Sequence, residues 1–235
     1  MAREQQSAPT RRQVVKFTFF RVDPAWRRLH ADERERTKSE LCAAVESFGD
    51  RLLIRSYSLV GMRGDADFLL WQIGDRLEDA QELTTAVFST AMGPYLSLPH
   101  SYLAMTRRSI YTSPQEGSGP ASRTVIAPTE AKYMFVYPFV KTRDWYKLPK
   151  ETRQAMMDEH IAVGRRYPSV KLNTTYSFGL DDQEFVLGFE SDYPEDFLDL
   201  VMDLRETEAS RYTSRDTPIL TGIAVSAAEM LDLLG

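Results

Sequence analysis

Apolar and polar positions along the chain fall into short runs that return in the same order. Residues 16–20 (KFTFF) read as a strand, and a loop carrying Trp26 leads from them into a charged stretch with helical spacing, residues 32–48. Two alternating runs then flank the turn 61–65 (GMRGD), which predicts a hairpin. A second helix over 77–92 and a strand over 101–107 follow. The succession recurs between 116 and 119 residues later: a strand at 132–136 (KYMFV), a loop with Trp145, a helix over 150–167, a hairpin around 179–182 (GLDD), a helix over 194–210 and a strand over 219–225. Ser56-Tyr57-Ser58 is matched by Thr175-Tyr176-Ser177, and 67–70 (DFLL) by 184–187 (EFVL).

Each half therefore reads strand, helix, strand, strand, helix, strand, the order of a ferredoxin-like unit. Two such units in one chain predict an α+β protein whose sheets pack together with helices outside, as one pseudo-symmetric body. The stretch 112–129 is rich in Pro, Gly and Ser and predicts a flexible connector. The expected division is a disordered tail 1–12, a first repeat 13–111, a connector 112–130 and a second repeat 131–235.

Composition narrows the function classes. The 235 residues carry 29 basic against 34 acidic side chains, a net charge of −5, which argues against a nucleic-acid partner. No apolar run approaches the roughly 18 residues that span a bilayer, and the start MAREQQSAPTRR has no apolar core of a signal peptide. No membrane association and a cytoplasmic location are the expectation. One cysteine, Cys42, and three histidines, His30, His100 and His160, are too few for a multi-thiolate or all-histidine metal site. Any metal is expected to arrive inside a cofactor.

Chemistry is sought where the two copies differ. In the second, Met157, His160, Ile161 and Gly164 share one helical face, whereas the corresponding 41–45 (LCAAV) of the first has no imidazole. His160 reads either as a core histidine or as a proximal iron ligand, with Gly164 clearing room for a flat group beside the helix. On the preceding strand Tyr133, Phe135, Tyr137, Phe139 and Lys141 alternate onto one face, with Pro138 the place where that register could break. That face reads as an edge strand, or as a tyrosine and a lysine set beside an apolar planar ligand, Lys141 answering a carboxylate. Arg205 and Ser210 at the end of the last long helix could reach further carboxylates, and Arg123 gives the connector a charge.

The segments 137–149 (YPFVKTRDWYKLP), 160–167 (HIAVGRRY), 177–182 (SFGLDD) and 202–212 (MDLRETEASRY) resemble the chlorite dismutase-like superfamily and, within it, the actinobacterial branch of the coproheme decarboxylases. The resemblance covers nearly the whole chain after the tail. It implies two ferredoxin-like repeats forming a dimeric α+β barrel within one chain, a homopentamer, and porphyrin bound only in the second repeat. It also implies iron coproporphyrin III (coproheme) as substrate and redox centre and hydrogen peroxide as oxidant. Two propionates become vinyl groups through a three-propionate intermediate and a Tyr137 radical, giving haem b as the last step of a haem pathway. A ferrochelatase that supplies coproheme is the implied transient partner.

By the same resemblance His160 is the axial ligand to the porphyrin iron, and Tyr137 and Lys141 are catalytic. Arg123, Tyr137, Pro138, Phe139, Val140, Lys141, Trp145, Asn173, Arg205 and Ser210 contact substrate. One departure stands out. No histidine lies between His100 and His160, where the branch carries a distal base, and Gly119-Pro120-Ala121 stands at that interval. Asn173, His100 or water is left for peroxide activation. A haem-dependent chlorite dismutase and a non-catalytic haem-binding or haem-transfer protein are the rival readings.

Overall fold

The structure, a computed structural model, describes residues 12–109, 111 and 125–235. The first repeat comprises β1 (Val14–Val22), α1 (Ala31–Glu46), β2 (Leu52–Ser58), β3 (Phe68–Gly74), α2 (Leu77–Ser89) and β4 (Leu96–Met105). The second comprises β5 (Tyr133–Lys141), α3 (Arg143–Lys147), α4 (Lys150–Gly164), β6 (Lys171–Tyr176), β7 (Phe185–Ser191), α5 (Pro194–Glu206), β8 (Thr213–Arg215) and β9 (Leu220–Ala224), and α6 (Ala227–Asp232) ends the chain. The loop expected around Trp145 is thus the short helix α3, and β8 and α6 are additions to the sequence reading. β4 begins five residues before the expected strand, and Pro99 fits within it because Leu98 and Pro99 together oppose Phe20 of β1 at a bulge.

Strands pair β4-β1-β3-β2 in one repeat and β6-β7-β5-β9 in the other, all antiparallel. Contacts β4–β6 and β2–β9 join the halves, so eight strands close on themselves and β8 extends the end of β5. Closure leaves no open edge, and the interior fills with side chains such as Phe17, Phe19, Tyr57, Trp71, Met134 and Val136. The helices lie outside. Among the described residues no helix is long and apolar enough to cross a membrane.

The repeat is real but its sequence matches are out of register. Phe17, matched by aromatic pattern to Tyr133, points into the barrel, whereas Tyr133 packs outside with Phe135 and Tyr137. Tyr57 is likewise interior, while Tyr176 packs outside against Phe185. A shift of one residue exchanges the faces of a strand.

The two helical layers differ in closure. α1 buries Leu41 and Val45 in a core that α6, a helix begun by a Ser226–Glu229 capping box, covers with Met230 and Leu231, followed by Leu234. Its counterpart α4 has no fully buried residue and leans on α5 and the turn Glu208–Tyr212. Burial therefore predicts unequal costs. Leu41→Ala is expected to lower unfolding stability by about 2–5 kcal/mol. Ile161→Ala on α4 is expected to cost less than about 1.5 kcal/mol in the ligand-free protein, with urea denaturation as the measurement.

Candidate functional site

The outer face of β5 is an aromatic wall. Phe135 stacks on Phe197 with centroids 4.0 Å apart, and Tyr137 stacks on Phe189 at 5.7 Å. Pro138 does not break the strand: Tyr137, Pro138 and Phe139 stay in step with Leu187, Val186 and Phe185 of β7. On its other side β5 pairs with β9 only as far as Val136 and with β8 from Val140, so the missing Pro138 N–H faces a gap in the ladder. Burial, chiefly, and the carboxylate of Asp216 raise the Tyr137 phenol above its ordinary range, opposed by Arg205. Tyr137 therefore keeps its proton at neutral pH.

Lys141 closes this face. Its Nζ donates to the Ala209 carbonyl at 2.6 Å and lies 4.7 Å from the centroid of Trp145. Its backbone N–H donates to Glu184 at 2.8 Å, and the Tyr146 hydroxyl donates to the same carboxylate oxygen. Burial lowers the ammonium to about 8, with Glu184 opposing. His160 on α4 sits within its field: burial first, and Lys141 second, hold the imidazole at about 4. Its Nδ1 is buried without a hydrogen-bond partner. A neutral imidazole with an uncommitted nitrogen is the form that ligates iron.

Polar groups gather beyond Tyr137. Arg205, Ser210, Thr213, Ser214 and Asp216 line a cavity of about 240 Å³. Arg205 pairs with Asp216 at 2.7 Å, and Ser210 Oγ donates to the Arg205 carbonyl at 2.6 Å. A guanidinium ringed by hydroxyls is a carboxylate-binding arrangement.

Against known proteins, the chlorite dismutase family profile matches residues 34–225. The chain belongs to the chlorite dismutase family. It is 36% identical over 178 residues to a coproheme decarboxylase of Mycolicibacterium smegmatis, covering 74% of each chain. Solved structures of the family superpose closely. A variant chlorite dismutase from Candidatus Nitrospira defluvii matches with a TM-score of 0.85 at 28% identity, covering 94% of both chains. A haem-binding protein from Thermus thermophilus shares the fold with a TM-score of 0.82 at 24% identity over 95% of both chains.

Of the residues that family resemblance singles out, the structure brings Tyr137, Phe139, Lys141 and Trp145 onto one side of β5 and α3, His160 within the field of Lys141, and Arg205 with Ser210 into one cavity. Trp145 is a wall residue, buried between Lys141, Tyr212 and Tyr111. Pro138 and Val140 alternate to the opposite side of the strand from Tyr137. Asn173 must be corrected. It is buried on the barrel side of β6, where Nδ2 donates to Glu190 at 2.8 Å, and Leu172 and Thr174 stand beside Phe189 and Leu187 on the Tyr137 side instead. Arg123 and Gly119-Pro120-Ala121 lie outside the described residues. His100 is engaged elsewhere, its Nε2 against Asp65 at 2.8 Å.

Asp216 and Glu184 escaped the sequence reading. Asp216 sits in a non-periodic segment between β8 and β9, and Glu184 reads as a hairpin residue, so neither carried a pattern.

The family's flat iron porphyrin fits these residues on three independent observations. No residue of α4 is fully buried, His160 Nδ1 lacks a partner, and a Cβ added at Gly164 would meet nothing within 4 Å. His160 also sets a pH dependence. Its folded value of about 4 lies below the ordinary 6.5, so between these limits the unfolded chain binds the proton that the folded one refuses. This contribution to stability is complete above pH 6.5 and is lost as pH falls towards 4. Urea midpoints of the ligand-free protein should fall relative to those of His160→Gln as pH drops from 6.5 towards 4, because glutamine does not titrate.

Proposed function

We propose that the protein converts two propionates of coproheme to vinyl groups with hydrogen peroxide, giving haem b through the three-propionate species. The observation that carries this reading is the placement of a buried, protonated tyrosine on one aromatic face with a lysine, an arginine-lined carboxylate cavity and an uncommitted histidine around it. The coproheme decarboxylase relative supports the substrate.

Each turnover balances as propionate, peroxide and one proton going to vinyl, carbon dioxide and two waters. The bound iron supplies the reaction with peroxide, and the chain supplies orientation and proton control. His160 would hold the iron through its neutral imidazole. Arg205, with Ser210 beside it, fixes carboxylates at the porphyrin rim, and the aromatic wall of Phe135, Phe189 and Phe197 excludes water. Tyr137 loses its proton only together with an electron, because burial and Asp216 disfavour the phenolate; the resulting radical takes a hydrogen from the propionate β-carbon. Lys141, lowered to about 8, is poised to hold a carboxylate or pass a proton near neutral pH.

Asp216 holds Arg205 before substrate does, so Asp216→Asn is expected to tighten coproheme binding by roughly three- to tenfold, the gain of releasing one competing charge; fluorescence quenching measures it. A homopentamer belongs to the same reading, and light scattering tests it. The test of function is a peroxide titration of the coproheme-loaded protein, resolved by chromatography, beside an oxygen-electrode assay with chlorite and haem b. Vinyl products without dioxygen from chlorite support the proposal.

A further inference from the structure

Arg153 lies on α4 three residues past its start and shares a face with the residues that frame the site: Arg153, Met157, His160 and Gly164 follow at i, i+4, i+7 and i+11. Its Nε is buried and has no hydrogen-bond partner among the described residues. Other basic residues around the site are already engaged. Lys141 is on the Ala209 carbonyl, Arg205 on Asp216, Arg143 beside Glu184 and Arg166 on Asp203. A buried guanidinium N–H left unpaired calls for an acceptor, and on a cation the acceptor that suits it is an anion arriving with a ligand.

Position says which anion. Seven residues of helix place Arg153 about 10 Å along the axis from His160, a span comparable to that from the centre of a porphyrin to the carboxylates on its rim. We propose that Arg153 is a substrate-binding residue that takes one propionate carboxylate of the porphyrin held at His160. The inference rests on the reading of the site as a coproheme site. Coproheme presents four carboxylates, and a cation on the helix that also carries the iron ligand anchors the ring against rotation in its plane. Arg153 thereby fixes which propionates face Tyr137.

The test compares wild type with Arg153→Gln and Arg153→Lys by coproheme titration, Soret spectroscopy and thermal unfolding without ligand. Arg153→Gln is expected to weaken coproheme binding at least about tenfold, the loss of one charge-assisted pair. Arg153→Lys should recover part of that loss. The axial-ligation spectrum stays that of wild type, and the melting temperature of the ligand-free variant does not fall, because no partner is orphaned. Iron coproporphyrin tetramethyl ester, which lacks the carboxylates, should bind wild type and Arg153→Gln alike. Equal coproheme affinity for wild type and Arg153→Gln overturns the proposal alone, as does an affinity loss accompanied by a lower ligand-free melting temperature and equally large for the ester. Failure of wild type itself to bind coproheme overturns the functional reading with it.

Discussion

Tyr137→Phe is expected to bind coproheme as wild type does and to leave it unconverted. The substitution keeps the ring that stacks on Phe189 and removes only the hydroxyl. That hydroxyl has no hydrogen-bond partner among the described residues, so its loss strands no donor or acceptor and should change stability by less than about 0.5 kcal/mol. Chemistry is another matter. The wall around the ring is phenylalanine, and burial together with Asp216 keeps the phenol neutral, so its O–H is the group here that can give up a proton and an electron together. Removing a positioned proton-transfer group costs on the order of 10²- to 10⁴-fold. Porphyrin chromatography after peroxide addition reads the effect. Conversion by Tyr137→Phe at the wild-type rate would refute the role assigned to the phenol.

His160→Ala separates ligation from carboxylate recognition. It removes a half-buried imidazole whose buried Nδ1 is unpaired, from a helix that buries no residue fully, so the ligand-free fold should tolerate it. Bound coproheme, by contrast, loses its protein axial ligand. The Soret band is expected to shift and affinity to fall at least about tenfold, by analogy with losses at metal-supporting positions, while the Arg205 cavity still holds the rim. Added imidazole should restore the wild-type band. A Soret spectrum unchanged by the substitution would move the iron ligand away from His160.

Much of this was legible in the chain because the informative patterns are local. The alternation from Tyr133 to Lys141 places Tyr137, Phe139 and Lys141 on one side of β5, and the stripe through Met157, His160 and Gly164 gives α4 its face. Those periods are set by strand and helix geometry alone. Register between repeats is different, since it depends on which residues pair across strands. Matching aromatic letters set Phe17 against Tyr133 and Tyr57 against Tyr176, yet each pair lies on opposite faces of the barrel wall. Asn173 was a candidate because the resemblance sets a distal group on that strand; a one-residue step decides its face, and Thr174 stands on the Tyr137 side while Asn173 answers Glu190. Partners from irregular segments were invisible for a related reason. Asp216 meets Arg205 only because β8 and β9 both dock on β5, and no periodicity in the segment between them announces that contact. α6 belongs with these, because its packing on α1 is a contact between the two ends of the chain. It explains why the helix of one repeat buries Leu41 and Val45 while α4 of the other buries no residue fully.

The most direct measurement is the mass-resolved porphyrin profile of the coproheme-loaded protein as peroxide is added in steps. The account predicts a three-propionate species at low peroxide that gives way to haem b, with one carbon dioxide released for each peroxide consumed productively. Coproheme bound with an intact axial-ligation spectrum yet recovered unchanged, its four propionates still present after excess peroxide, would contradict it.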